Sequence, residues 1–93
     1  MLTKEKLSDL LKKSFVLDHL DIIDESPNHH GHKENKGGGH FKIIIASLAF
    51  TNLNTLKRHR LIYQSLESLM PLEIHALSIL TFTPEEYFNI NPR

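Results

Sequence analysis

Residues 41–48 read Phe-Lys-Ile-Ile-Ile-Ala-Ser-Leu, and the three consecutive isoleucines decide the fold. Branched apolar side chains favour strands, and an uninterrupted apolar run predicts a strand covered on both faces or nearly so. Upstream, Leu20–Glu25 predicts a second strand, in which Leu20 and Ile22 alternate with Asp21 and Ile23 before Pro27 and Asn28 end it. Val16 to His19 is expected to turn the chain into it. Downstream, residues 73–82 (EIHALSILTF) predict a third strand. The first two strands follow each other directly and should pair antiparallel. The third returns through a long helix, which can set it parallel to the second.

The helices are read from periodicity. Leu7, Leu10, Leu11 and Phe15 recur on one face of a helix over residues 3–14, with Thr3 as its N-cap and lysines on the opposite face. Phe50-Thr51-Asn52 predicts a turn, because asparagine tolerates positive φ better than other non-glycine residues. Asn54 or Thr55 then caps a helix running to about Leu69, whose buried stripe is Ile62, Leu66, Leu69 and Met70, with Leu61 at its margin. Pro71 ends it. Thr83-Pro84-Glu85-Glu86 begins a last helix, with Thr83 as N-cap, Pro84 at the first position and Glu86 closing a capping box. Tyr87 and Phe88 anchor that helix. The order αββαβα describes an α+β domain: a three-stranded mixed sheet with helices mainly on one face.

Composition narrows the function. Ninety-three residues make one domain, 1–93, with a His/Gly-rich loop at 27–40 and a frayed tail at 89–93. Eleven basic and eleven acidic residues cancel, so no global field draws the chain to nucleic acid or membrane. There is no cysteine, which excludes disulfides, thiolate nucleophiles and metal sites with cysteine ligands from this chain. No secretory signal or membrane-spanning run is evident, so a cytoplasmic protein is expected. No nucleophile elbow, HExxH motif or phosphate-binding glycine loop is present, and the adjacent carboxylates Asp24/Glu25 and Glu85/Glu86 point apart. The chain does not read as an enzyme.

Two clusters remain. Four of the seven histidines, His29, His30, His32 and His40, lie in the loop beside Gly37-Gly38-Gly39. Imidazole is a common metal ligand and titrates near neutral pH, so the loop reads either as a metal-binding element or as a solvated tip. His75 is the sole imidazole in an otherwise core-like strand, where it is either a ligand or a structural residue. A chain that offers only nitrogen and oxygen donors suits a shared site to which a partner brings sulfur. The second cluster, Lys57, Arg58, His59 and Arg60, sets cations at a helix N-terminus against the macrodipole, at a cost of a few tenths to ~1 kcal/mol each. It marks either a binding surface or a place where acids such as Asp24 or Glu25 neutralise the charge across the fold.

Six segments bear on the choice: Asp24-Glu25-Ser26 with His29-x-Gly31-His32; Gly39-His40-Phe41-Lys42; Arg58-His59-Arg60-Leu61-Ile62-Tyr63; Ile74-His75-Ala76-Leu77-Ser78; and Thr83-Pro84-Glu85-Glu86. In this order, over roughly residues 3–88, they resemble the BolA family. Asn52 stands where the family often has glycine, and His30 is an additional loop histidine. The resemblance implies a class II KH-like fold and a heterodimer with a monothiol glutaredoxin that shares a glutathione-ligated [2Fe–2S] cluster, in iron–sulfur trafficking or iron sensing. It implies His75 as one ligand and a loop residue as the other: His29, with His32 and His40 as alternates. Glutaredoxin and glutathione would supply the thiolates, and the isolated chain would hold no cofactor and be a monomer or weak homodimer. The segment from Lys57 to Arg60 would face the partner. Because family members are also linked to transcriptional regulation, DNA binding through that segment is the alternative.

Overall fold

The computed structural model describes residues 4–25, 39–70 and 74–90, with positions 39, 74 and 75 described as backbone only. The elements are α1 (Lys4–Ser14), β1 (Leu17–Asp24), β2 (Gly39–Ser47), a 3₁₀ turn at Leu48–Phe50, α2 (Thr55–Leu66), a second 3₁₀ turn at Glu67–Leu69, β3 (Ile74–Phe82) and α3 (Pro84–Ile90). The sheet order is β1-β2-β3. β1 runs antiparallel to β2, and β3 runs parallel to it, as the hairpin and crossover readings require.

The isoleucine run divides its side chains between two unequal faces. Phe41, Ile43 and Ile45 are buried against Leu7 and Leu11 of α1, Ile62 and Leu66 of α2, and Phe50, Leu69 and Ile79. Ile44 points the other way and is half-buried, with exposed Ile23 and Leu80 on the same face. In part, then, the strand is covered on one face and open on the other. Each fully buried isoleucine or leucine contributes roughly 1.5–3 kcal/mol, so burial of Ile62 and Leu66 outweighs the dipole conflict at the start of α2.

β1 starts at Leu17, not at Leu20, so the stretch expected to turn is already strand. The cause is a bulge between Leu17 and His19, which lets both Leu17 and Leu20 pack on the core and breaks the period-two pattern. Buried Ser47 secures this end: its Oγ donates to the Val16 carbonyl (2.7 Å) and accepts from the Ala49 amide (3.1 Å).

At the other end of the hairpin the strand begins earlier than expected. Gly39 and His40 are not loop but the start of β2, aligned with Ile74 and Ala76 of β3, and the His40 carbonyl accepts from the Glu25 amide (2.7 Å). The helical part of α2 stops at Leu66, and the last expected turn tightens into 3₁₀ geometry.

The caps fall where predicted. Asn54 accepts from the Lys57 amide (2.9 Å), and Thr83 and Glu86 exchange the two bonds of a capping box. Asn52 takes φ 64°, so asparagine supplies the left-handed turn expected of it. α3 extends through Asn89 and Ile90, two residues into the stretch expected to fray. The expected cap Thr3, the helix-ending Pro71 and the strand residue Glu73 lie outside the described residues.

Candidate functional site

The parallel β2–β3 pairing brings two sequence-predicted histidines to one end of the sheet. Gly39 aligns with Ile74 and His40 with Ala76, and the register shifts between these pairs, so His75 occupies the irregular step beside His40. β1 closes the same end, with Asp24 opposite Phe41 and the Glu25 amide bonded to His40. Residues 26–38, which carry His29, His30 and His32, join Glu25 to Gly39 in the sequence and lie outside the described residues. Among the described residues no three side chains of histidine, aspartate or glutamate converge to hold a metal ion. The donors available here are imidazole nitrogen and carboxylate oxygen, because the chain has no cysteine. An iron–sulfur cluster at this end would therefore take its thiolates from elsewhere, and the donor set fits a shared cluster and not a self-contained one.

The basic segment sits at the opposite end. Arg58 is held by the fold: Nη1 and Nη2 donate to the two Glu86 carboxylate oxygens (2.7 and 3.1 Å), Nε donates to the Leu53 carbonyl (2.8 Å), and Nη1 reaches the Thr81 carbonyl (3.4 Å). Its side chain is only 12% exposed. Arg58 first, then the Thr83 backbone amide, lower the Glu86 pKa from 4.5 to about 2. The acid that neutralises the segment is thus Glu86 on α3, and not Asp24 or Glu25. Sequence reading assigned Glu86 only to the capping box, and a partner 28 positions away leaves no periodic signal.

Lys57 and Arg60 are exposed, and His59 is half-buried. Leu56, Arg60 and Tyr63 recur at helical spacing on the outer side of α2, where Leu56 and Tyr63 are exposed large apolar side chains. Thr81, the residue that Arg58 reaches, lies six positions along β3 from His75. At about 3.3 Å per residue the two clusters are roughly 20 Å apart, so a partner engaging both must span that distance.

A feature missed in the sequence occupies the face away from α1 and α2. His19 stacks on Tyr87 with ring centroids 4.2 Å apart, and its Nε2 lies 3.0 Å from the Tyr87 hydroxyl and 3.1 Å from Asp21 Oδ2. Tyr87 also meets the edge of Phe82. His19, Ala46 and Phe82 form one row across the three strands, and Ala46 between them is fully buried. Tyr87 therefore closes this end of the second face and docks α3. The contact escapes sequence reading because His19 falls in an expected turn and its partner Tyr87 lies 68 positions away.

Comparison with known proteins follows the same lines. The profile of the BolA-like protein family matches residues 11–86. The chain is 32% identical over 87 residues to the DNA-binding transcriptional regulator BolA of Escherichia coli (strain K12), a match covering 94% of this chain and 81% of that one. A crystal structure of a bol-like protein from Babesia bovis superposes with a TM-score of 0.82 at 26% identity, covering 98% and 95% of the two chains. The BolA domain of SufE1 from Arabidopsis thaliana superposes with a TM-score of 0.76 at 36% identity, covering 92% and 99%.

Proposed function

The chain belongs to the BolA-like family, and from that premise we propose that it is a non-enzymatic adaptor for a monothiol glutaredoxin. In this reading it shares a glutathione-ligated [2Fe–2S] cluster with that partner and serves iron–sulfur trafficking or iron sensing. The observation that carries the reading is the β2–β3 register, with His75 beside His40 at the sheet end where residues 26–38 join. The lack of cysteine agrees with it, since a shared cluster leaves the thiolates to glutaredoxin and glutathione. His75 is the first ligand assigned. The second comes from His29, His32 or His40, with His29 preferred.

Mixing the chain with a monothiol glutaredoxin, glutathione, iron and sulfide tests this. The visible spectrum of the glutaredoxin cluster should change when the chain is added. A spectrum indifferent to the chain, with no heterodimer on gel filtration, would remove the reading.

A second reading is DNA-binding regulation, favoured by the function named for the Escherichia coli relative and by exposed Lys57 and Arg60 on α2. It predicts that Lys57→Ala and Arg60→Ala each weaken duplex binding and lower its salt slope by about one. Arg58 drops out of this surface because Glu86 occupies its guanidinium. Duplex retention only at low salt, whatever its sequence, would count against it.

A further inference from the structure

We infer that His19, Asp21 and Tyr87 form a binding site for a divalent late transition metal ion, zinc or copper, which staples α3 to the edge of the sheet. His19 and Asp21 stand two positions apart on β1, so their side chains leave the same face side by side. Their donor atoms, Nε2 and Oδ2, are 3.1 Å apart, and the Tyr87 hydroxyl of α3 lies 3.0 Å from the same Nε2. Metal bonds to nitrogen and oxygen of about 2.0–2.2 Å place neighbouring ligand atoms about 2.8–3.6 Å apart in octahedral or tetrahedral shells. Both spacings already fall in that range. The site is separate from the one proposed above: Ala46, which pairs with His19, lies six positions along β2 from His40, or roughly 20 Å.

The donors choose the ion. An imidazole with a carboxylate and a hydroxyl suits Zn2+ or Cu2+, whereas Mg2+ and Ca2+ prefer oxygen alone. The ion takes the Nε2 lone pair, so the ring proton resides on Nδ1 and the metal replaces the hydrogen bond to Asp21. The side chains of His19 and Asp21 are 26% and 59% exposed, so solvent reaches the ion and water fills its remaining positions. Charge agrees. Among the described residues lining the groove beside His19, Asp18 and Lys12 cancel, which leaves Asp21 to set a negative sign at the site. The consequence falls on α3, none of whose side chains is fully buried and whose first turn is tied down by the pairing of Glu86 with Arg58. An ion between Tyr87 and β1 adds a second tie where the metal-free protein has a stack and a hydrogen bond.

The test is a titration of the full chain with Zn2+ alone, followed by the nuclear magnetic resonance signals of the His19 ring and by hydrogen exchange of the Tyr87 amide, which donates to the Thr83 carbonyl. Zinc at about ten times its dissociation constant should slow that exchange roughly tenfold, because undocking α3 has to release the ion. Asp21→Asn keeps an oxygen for hydrogen bonding but loses the charge, and should weaken zinc binding at His19 by about tenfold or more. Asp21→His exchanges the carboxylate for a second imidazole and should keep the slowing, which a folding defect would not do. His75→Ala should respond as the parent does, which separates this site from the other end of the sheet. Zinc that leaves the His19 ring and the Tyr87 amide unaffected overturns the inference. So does Asp21→Asn responding as the parent does, Asp21→His losing the response, or His75→Ala abolishing it.

Discussion

Replacing Glu86 by glutamine removes one charge from the pair that ties α3 to the start of α2, and its effect should depend on pH. Glutamine keeps an oxygen for the Thr83 amide, so the capping bond survives and the change isolates the pairing with Arg58. The lowering of the Glu86 pKa from 4.5 to about 2 sets a ceiling of about 3.4 kcal/mol at ~1.36 kcal/mol per decade. Glu86 is 46% exposed, and solvent screening of such a carboxylate brings the expected contribution down to about 1 kcal/mol. That corresponds to a fall in Tm of roughly 4–8 °C for a domain of this size.

The sign follows from the direction of the shift. The folded state holds the proton less tightly than the unfolded state, so the stabilisation is fully present above about pH 4.5 and disappears as pH falls through about 2. Urea or thermal unfolding at pH 7 and pH 3 measures it. Glu86→Gln should trail the parent at pH 7, and under half of the gap should remain by about pH 3. An unchanged gap at both values, or none at pH 7, would refute the assignment of Glu86 as the partner that takes Arg58 out of the binding surface.

Three further outcomes are expected. Ser47→Ala leaves the Val16 carbonyl and Ala49 amide without their partner and should cost about 1–3 kcal/mol in urea unfolding. Asn52→Val forces a branched residue into φ 64° and should cost about 1–2 kcal/mol, whereas Asn52→Gly should stay close to the parent. Tyr87→Phe keeps the stack on His19 but loses the hydroxyl contact, and should cost about 1 kcal/mol by thermal melting.

What the sequence revealed was mostly local. The Thr83–Glu86 capping box, the Asn54 cap and the turn at Asn52 each depend on residues within four positions of one another, and each was legible. The buried stripe was legible for the same reason: Ile62, Leu66 and Leu69 are buried and Met70 packs against them, although the turn after Leu66 tightens. What escaped depends on distant pairing or on a broken period. The bulge in β1 brings Leu17 to the core out of step with Leu20 and Ile22, so the start of the strand was hidden, and with it the place of His19 under Tyr87. Arg58 finds Glu86 across 28 positions, a distance that left its neutralising acid misassigned. His40 sat among glycines in the sequence, yet both neighbouring strands recruit it into the sheet. The sequence offered the loop histidines and the lone His75 as separate candidates, and only the β2–β3 register sets His75 next to His40.

The central proposal, imidazole ligation of a cluster shared with glutaredoxin, is tested most directly by the reduced heterodimer. Pulsed electron paramagnetic resonance of that species should show hyperfine coupling to an imidazole nitrogen. The His75→Ala heterodimer should lose the His75 coupling and release its cluster faster. An unaltered nitrogen signal and cluster lifetime in His75→Ala would contradict the assignment.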